Sequence, residues 1–433
     1  EEWKIGQDSY ADFQKKALSG SSKIGHKISK LAQQETPLSG TTIMATDMQL
    51  QQEQDKWQHI WQVERETPTF CHKVVKVGTR VTAEGIKQVA KSFAYDTSCN
   101  DGLPLKFISL LSLEIREAMA TLLNVAIVLG GLPDCLRHMT VKLIEKKTGG
   151  FRPIILYRSI YRLLGRITGA TVRAWEKSAL AELPFDNNSG RQPLDSTYRA
   201  WLRQAIGTII GRHAADLLID LRKCFEFIDR KLLWQAAERL GYPMDIARLS
   251  LNSYAAGRGI VGEHNLAGNA RRASRGIAAG SPFATTELKV MLVVVLQAVK
   301  QSSEVPITIC SAREHKDSPA SVDIRVFVDD FALSCSGASE TDVADQVLKS
   351  FEVLKQELEK IGLPIAEDKT ELITTSSITR KAIETSISLS HKLTTCRKLG
   401  VDVSYDCPSI HSGVRPGKAK LTSAHCIGRK ARK

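Results

Sequence analysis

Long apolar runs are missing from the sequence. The two longest, Leu122–Leu132 and Val290–Val299, fall well short of the roughly 20 residues that an α-helix needs to cross a bilayer. We therefore expect no membrane segment and interpret both runs as buried core helices. A signal peptide and internal repeats are also missing. Because the sequence begins with Glu1 rather than Met, we expect it to be a fragment of a longer protein.

Regularly spaced cysteines are missing as well. The nine cysteines are odd in number and scattered, so a disulfide framework is not expected. Free thiols favour a reducing compartment, and we expect an intracellular protein, nuclear or cytoplasmic. One group contains the residue types of a zinc site: Cys407, His411, His425 and Cys426. Its spacing fits no standard zinc finger, and free side chains are the favoured interpretation.

Acidic residues are outnumbered by basic ones. The 60 Lys and Arg residues exceed the 47 Asp and Glu residues, which gives a formal net charge of +13. This charge favours a polyanionic partner, either a nucleic acid or an anionic membrane surface, and does not by itself choose between them. The apolar share of 42% and the charged share of 25% are typical of a globular protein. A chain of 433 residues is long enough for two or three lobes.

The N-terminal part of the chain is poor in β signals. Residues 1–68 are rich in Gln, Lys and Ser, and we interpret them as an extension or linker that carries little of the core, with one helical stretch from about Met48 to Val63. The pattern is then largely helical as far as residue 215. Within it, Val141–Ile155 has two β-prone ends around Thr148-Gly149-Gly150, which predicts a hairpin.

The second half of the chain alternates between strand and helix signals. The predicted elements are a strand at Asp216–Leu221, a helix at Arg230–Leu240, a strand pair within Ile324–Cys335, a helix from Ser339 as N-cap to Gly362, and a closing strand within Lys398–Ser404. Strands separated by long helical insertions predict an α+β fold, with a small antiparallel sheet backed by helices.

Two adjacent acids lie inside one of these apolar strand patterns. Asp329 and Asp330 stand between Phe-Val and Phe-Ala-Leu, which predicts a tight β-turn that directs both carboxylates into a common cleft. A solvated turn is the alternative, since Asp is a good turn former. Asp220 ends a second apolar strand and would complete a cage of three carboxylates. Neighbouring carboxylates repel one another unless a cation neutralises them, and such a cage suits two Mg²⁺ ions.

These residues carry a family resemblance. LLIDLRKCFEF, which contains Asp220, resembles motif A of reverse transcriptases, and FVDDF, which contains Asp329 and Asp330, resembles their motif C; the separation is similar to that in the non-LTR retrotransposon type. Further segments resemble other family motifs in the correct order: Asp101–Pro104 and Lys146–Leu163 of the fingers, Arg275–Leu292 as motif B, Ile361–Ile373 as motif D, and Lys398–Val403 as motif E.

The resemblance implies a right-hand polymerase with mostly helical fingers and a palm built on the small antiparallel sheet. Residues 69–215 would be the fingers, and residues 216–405 the palm, with a fingers-like insertion at about 231–275. Residues 406–433 would be a basic tail or the start of a truncated thumb. Two Mg²⁺ ions are implied as cofactors, with Mn²⁺ as a substitute.

The resemblance also implies roles for the acids and their neighbours. The metal ligands would be Asp220, Leu221, Asp329 and Asp330, and the three aspartates would be catalytic. Lys369 would be the general acid that protonates pyrophosphate, and its alternative is a solvated lysine.

A second set of residues is implied to bind the incoming nucleotide: Lys146, Arg152, Leu221, Phe225, Ala279 and Gly280. Arg152 would hold the triphosphate, because a guanidinium matches phosphate oxygens. Lys142 or Lys147 could replace Lys146. Phe225 would be the sugar gate that rejects a 2′-hydroxyl. Ala279 departs from the usual Gln of the family, which puts nucleotide affinity and fidelity in doubt.

The resemblance implies an RNA-directed DNA polymerase of a retroelement. Its partners would be an RNA template, a DNA primer, deoxynucleoside triphosphates and other domains of a longer polyprotein. Two groups of arginines are candidate contacts to the template-primer backbone: Arg158, Arg162 and Arg166, and Arg271, Arg272 and Arg275. One alternative is a catalytically inactive, RNA-binding relative. Another is an RNA-dependent RNA polymerase, which Phe225 and Val328 disfavour because such enzymes usually carry Asp and Gly there.

Overall fold

The computed structural model describes most of the chain between residues 47 and 404. The described residues are 47–62, 68–95, 97, 99–146, 150–188, 209, 211–262, 267–302, 307–308, 320–387, 395–398 and 401–404. The cluster of Cys407, His411, His425 and Cys426 lies outside them, as does the predicted tail at residues 406–433.

Helices and strands alternate along the described residues. The helices are α1 (Asp47–Trp61), α2 (Ala83–Lys91), α3 (Leu113–Leu129), α4 (Asp134–Arg137), α5 (Ser159–Ala179), α6 (Cys224–Phe227), α7 (Arg230–Arg239), α8 (Met244–Tyr254), α9 (Ala284–Ser302), α10 (Glu340–Lys360) and α11 (Ser377–Ser386), with 3₁₀ turns at Leu105–Leu110 and Glu367–Lys369. The strands are β1 (Met139–Glu145), β2 (Phe151–Leu156), β3 (His213–Ile219), β4 (Arg258–Val261), β5 (Ile307–Thr308), β6 (Ser321–Phe327), β7 (Asp330–Gly337), β8 (Glu371–Thr374), β9 (Thr395–Lys398) and β10 (Val401–Ser404). This mixture confirms the predicted α+β class.

The largest sheet in the described part of the chain has the strand order β5-β6-β7-β3-β8. Its pairs are antiparallel except for β5 with β6, which is parallel. Helix α10 packs against β7 and β3. Ser339 caps this helix by accepting a hydrogen bond from the amide of Asp342, and Gly362 follows it with a φ of +76°, as predicted. The sheet backed by a helix is therefore present.

A second sheet has the order β2-β1-β4. Strands β1 and β2 form the predicted antiparallel hairpin, although residues 147–149 of its turn lie outside the described residues. Strand β4 adds to β1 in parallel. The predicted closing strand is instead a pair of strands, because β10 pairs antiparallel with β9.

Helix α1 contributes to the core. Leu50, Trp57 and Trp61 on this helix are buried. The expectation that this part of the N-terminal segment carries little of the core is therefore wrong. Its Gln-rich composition hid the three apolar residues that share one helical face.

The two long apolar runs differ in their burial. Val290–Val299 lies in α9 and is mostly buried, as expected. The run Leu122–Leu132 is only half buried, because Leu122, Val125, Val128 and Leu129 of α3 are exposed. Its interpretation as a buried core helix is wrong, since apolar character on all sides of a helix does not show which side packs. None of the described helices is long and apolar enough to span a membrane.

Candidate active site

Asp220 and Asp330 lie at the same end of two paired strands. Strand β3 pairs antiparallel with β7, and the last pair of the register is Ile219 with Phe331. Asp220 and Asp330 directly adjoin this last pair, and the charge of Asp220 acts on the carboxyl group of Asp330, which shows that the two acids lie near one another. The register thus brings together the two acidic strand ends that the sequence predicts to meet.

The turn between β6 and β7 carries Asp329. Phe327 pairs with Asp330, which leaves Val328 and Asp329 as a two-residue hairpin loop and confirms the predicted tight turn. Val328 has a φ of +61°. A positive φ at the first loop position is typical of a type II′ turn, where glycine is preferred. A branched side chain in this conformation costs about 1–2 kcal/mol. The backbone strain of this turn therefore lies at Val328, directly before Asp329.

The three carboxylates affect one another electrostatically. Partial burial in the cleft, with Asp329 and Asp220 nearby, raises the pKa of Asp330 to about 6, although its side chain is still exposed to solvent. Burial also raises the pKa of Asp329, and Asp220 adds to this effect. Cys224 is buried beside them, and its pKa is raised by burial and by the charges of Asp329 and Asp220. These are the shifts expected where anions crowd together.

Lys369 lies at the same carboxylates. Its Nζ atom donates a hydrogen bond of 3.0 Å to Oδ2 of Asp220. The backbone explains this placement, because residues 364–366 pair with residues 220–222: the amide of Ala366 donates to the carbonyl of Asp220, and the amide of Arg222 donates to that of Pro364. The 3₁₀ turn that follows carries Lys369 back to the end of β3.

No metal cage is assembled among the described residues as they stand. No three Asp, Glu, His or Cys side chains there are arranged to hold an ion, and Oδ2 of Asp220 is paired with Lys369. The donors nevertheless fit Mg²⁺ in kind, since they are hard carboxylate oxygens whose mutual repulsion a divalent cation would relieve. Leu221 is buried, and its side chain has no atom that can coordinate a metal ion. It could therefore bind a metal ion only through its backbone carbonyl oxygen.

A basic face of the β1-β2 hairpin lies near the acids. The register and the alternation of strands place Lys142, Lys146 and Arg152 on the exposed face. The positive charge of Arg152 lowers the pKa values of Asp329 and Asp330, against the raising effect of burial. Lys146 acts electrostatically on Lys223, just after Asp220. Lys147 lies outside the described residues.

The loop before α9 joins this hairpin to the sheet. The carbonyl of Ala279 accepts a hydrogen bond of 2.8 Å from the amide of Ile155 in β2. Gly280 has a φ of +113°, and a Cβ atom there would lie 2.2 Å from the carbonyl oxygen of Ile155. Only glycine fits this close approach. Ala279 and Gly280 are thus held beside the strand that carries Arg152.

Phe225 is tied to the same loop. Its carbonyl accepts a hydrogen bond of 2.8 Å from the amide of Ile277. Phe225 is half-buried, with part of its ring against the core. The loop before α9 therefore contacts both Phe225 and, through Ala279 and Gly280, the strand that carries Arg152.

Glu226 has partners that the sequence does not indicate. It is buried, and its Oε2 accepts hydrogen bonds from Nε1 of Trp61 at 2.6 Å and from Nη1 of Arg258 at 3.3 Å. The contact to Trp61 joins positions that are 165 residues apart, so no local pattern could have predicted it.

Several arginines proposed as nucleic-acid contacts already have partners within the chain. Arg275 donates to the carbonyl of Ile60 and stacks over Phe227. Two others have neighbours of their own: Arg162 donates to Cys99, and Arg166 donates to Ser92 and covers the ring of Phe93. Arg272 is exposed, and its contact to the template-primer backbone stays a prediction.

Comparison with known protein families identifies a matching family model. The model of a family described as reverse transcriptase (RNA-dependent DNA polymerase) matches residues 144–403. The match includes the three aspartates, Lys369 and the loop before α9, and it leaves out helix α1. No curated protein matches the chain significantly.

Proposed function

The chain belongs to the reverse transcriptase family, and on this premise we propose that it is an RNA-directed DNA polymerase. It adds deoxynucleotides to a primer 3′-hydroxyl by nucleotidyl transfer. One observation carries this proposal: Asp220 and Asp330 directly adjoin the last pair of β3 and β7, with Asp329 in the adjoining turn, and the charge of Asp220 acts on both other acids. Three acids at one sheet end are the chemistry that such a transfer requires.

The acids are proposed to hold two Mg²⁺ ions, for which Mn²⁺ can substitute. Asp220, Asp329, Asp330 and the backbone carbonyl of Leu221 supply oxygen ligands, which magnesium prefers. When bound, the two ions activate the 3′-hydroxyl and stabilise the leaving pyrophosphate. The raised pKa values of Asp329 and Asp330 support this assignment, because burial and the neighbouring carboxylates disfavour their charged forms, which a bound cation would stabilise.

Basic side chains around the acids are proposed to handle the triphosphate. Arg152 binds phosphate oxygens in a bidentate way, and Lys146 adds positive charge on the same face of the hairpin. Lys369 donates a proton to the leaving pyrophosphate, for which its ammonium group must reach the site. The hydrogen bond of 3.0 Å from Lys369 to Asp220 supports this role.

Selection of deoxynucleotides is proposed to depend on Phe225. Its half-buried ring follows the strand end that carries Asp220, where it would collide with a ribose 2′-hydroxyl. This favours DNA synthesis over RNA synthesis. Ala279 and Gly280 lie in the loop that contacts Phe225 through Ile277, and the short side chain of Ala279 leaves the nucleotide without the amide contact usual in the family.

The order of the motifs favours an enzyme of the non-LTR retrotransposon type. We place the fingers at residues 69–215 and the palm at residues 216–405 of a right-hand polymerase. The template is RNA, the primer is DNA, and other domains of a retroelement polyprotein are further partners. The net charge of +13 supports binding to such a template-primer duplex.

Primer extension on an RNA template tests this function. Wild-type protein with Mg²⁺ should incorporate deoxynucleotides and reject ribonucleotides, and Asp329→Asn should abolish incorporation. Asp368→Asn is the matched control, because Asp368 lies in the neighbouring turn but pairs with Arg222 at 3.0 Å. Absence of any incorporation by wild type would favour the inactive RNA-binding relative, and equal use of both nucleotides would favour an RNA polymerase.

A further inference from the structure

The C-terminal end of helix α1 lies against the segment that leads to Gly280. The carbonyl of Trp61 accepts hydrogen bonds from the amides of Ser274 and Arg275, at 2.9 and 3.4 Å, and the carbonyl of Ile60 accepts one from Nε of Arg275 at 3.0 Å. The last carbonyls of a helix have no partner within it, and the negative end of its dipole favours a cation. Residues 274–275 therefore cap α1.

The same segment continues to the residues around Phe225. The amides of Gly276 and Ile277 donate to the carbonyls of Ile228 and Phe225, each at 2.8 Å. A Cβ atom on Gly276 would lie 2.7 Å from the carbonyl oxygen of Glu226, so the two backbones are in close contact. Residues 274–277 thus join the end of α1 on one side to the proposed sugar gate on the other.

Arg230 holds this segment from inside the core. Its fully buried guanidinium donates to the carbonyls of Ala273, Arg275 and Gly276 at 2.8 to 3.0 Å. Backbone carbonyls that are fixed in this way have little freedom to shift. The segment is therefore a rigid connection between α1 and Phe225.

A side-chain contact makes a second connection. The indole of Trp61, which is 1% exposed, donates to Oε2 of Glu226 at 2.6 Å. Glu226 directly follows Phe225 and also pairs with Arg258, whose guanidinium lies 5.2 Å from the centre of the Trp61 ring. Burial raises the pKa of Glu226, whereas Arg258 and the indole N–H act in the opposite direction.

The buried charges depend on one another. Arg258 is completely buried, and in the part of the chain that the structure describes its Nε and Nη2 atoms have no hydrogen-bond partner. Its charge therefore relies on Glu226, and removal of one member of such a pair is strongly destabilising. The carboxylate of Glu226 is in this way fixed by two groups, the indole of Trp61 and the guanidinium of Arg258.

We propose that Trp61, acting through Glu226, is a positioning residue that fixes Phe225 for the selection of deoxynucleotides. The inference rests on the proposed role of Phe225 as the sugar gate. It assigns a functional part to helix α1, which lies outside the residues matched by the family model. A steric gate discriminates only if its ring cannot retreat, and a shift on the order of 0.5 Å is enough to weaken such a site.

The experiment separates positioning from simple packing. Trp61→Phe keeps an aromatic ring on α1 and removes the N–H that holds Glu226. Glu226→Gln keeps an acceptor and removes the charge. Trp175→Phe is the matched control, because the indole of Trp175 donates to the carbonyl of Leu240 at 3.1 Å, away from Glu226. The readout is the ratio of kcat/KM for a deoxynucleotide to that for the matching ribonucleotide, with Phe225→Ala as the reference for a lost gate.

The ratio should fall about tenfold in Trp61→Phe and Glu226→Gln, since a hydrogen bond to a charged group is lost or weakened. It should stay at the wild-type value in Trp175→Phe. A wild-type ratio in both Trp61→Phe and Glu226→Gln, together with a reduced ratio in Phe225→Ala, would overturn the inference and leave the proposed function intact. An unchanged ratio in Phe225→Ala would instead refute the gate itself, and the inference with it.

Amide hydrogen exchange provides a readout that does not require activity. The amides of residues 225–228 and 274–277 should exchange faster in Trp61→Phe than in wild type or in Trp175→Phe. If wild type incorporates no nucleotide, the proposed function fails. Hydrogen exchange alone then tests whether Trp61, acting through Glu226, fixes the backbone around Phe225. Unchanged exchange at these amides in Trp61→Phe would overturn the inference.

Discussion

The ammonium group of Lys369 lies 3.0 Å from Oδ2 of Asp220. Because the two side chains are 55% and 31% exposed, their ion pair contributes little to stability. The pairing of residues 364–366 with 220–222 nevertheless directs this lysine to a proposed metal ligand. The contribution of this ion pair to stability therefore does not account for the arrangement.

Replacement of Lys369 should slow the chemical step. If its ammonium protonates pyrophosphate, Lys369→Ala should lower the single-turnover rate of incorporation about 100-fold. Lys369→Arg should be nearly as slow, because arginine does not release its proton. Lys355→Ala is the control, since Lys355 pairs with Glu367 at 2.6 Å in the same region. A wild-type rate in Lys369→Ala would exclude the general-acid role.

Neutralising Asp330 should stabilise the metal-free protein at neutral pH. Its pKa rises from 3.8 to about 6 on folding, so the folded state favours the protonated form. Stability is therefore lost as the pH rises from about 4 to above 6. In EDTA at pH 7.5, Asp330→Asn should melt roughly 1–2 °C above wild type, allowing for solvent screening. This gain should shrink at pH 5 and be absent in Asp368→Asn. A lower melting temperature than wild type at pH 7.5 would contradict the account.

Gly280 should not tolerate a side chain. A Cβ atom would meet the carbonyl oxygen of Ile155 at 2.2 Å, and its φ of +113° is strained for any other residue. Gly280→Ala should displace the loop and lower kcat/KM for the nucleotide at least 100-fold, because small misplacements near the reacting groups are costly. Gly78→Ala, where nothing lies within 4 Å of the added atom, should retain activity. Equal activity of the two variants would show that the close approach is not needed.

Glu287 should make stability depend on pH. Burial raises its pKa from 4.5 to about 7, while hydrogen bonds from Ser250 and Tyr254 act against this shift. Wild type should therefore lose stability relative to Glu287→Gln as the pH rises from about 4.5 to 7, by up to about 3 kcal/mol. Urea unfolding at pH 5 and pH 8 measures this difference. The exposed Glu238, changed to Gln, is the control and should show no such trend.

The parts of the site that the sequence predicts are those with local signals. Asp220 ends an apolar strand pattern, and Asp329 and Asp330 interrupt another. The strand period and the turn residues are enough to suggest that these acids meet. The family resemblance adds Lys369 and Arg152, which lie near them in the structure.

The parts that the sequence does not predict depend on distant contacts. Trp61 meets Glu226 only after folding, and a buried acid looks the same in the sequence as a solvated one. The positive φ of Val328 has no signal either, because glycine and not valine marks such a turn. The exposed face of α3 was missed because an apolar helix does not reveal which side packs.

The central claim is that Asp220, Asp329 and Asp330 share two divalent ions, and counting bound Mn²⁺ by electron paramagnetic resonance tests it most directly. With template-primer and a non-hydrolysable deoxynucleotide bound, wild type and Asp368→Asn should each hold two Mn²⁺ ions per chain. Asp329→Asn should hold fewer than two. Two tightly bound ions in Asp329→Asn, or none in wild type, would contradict the account.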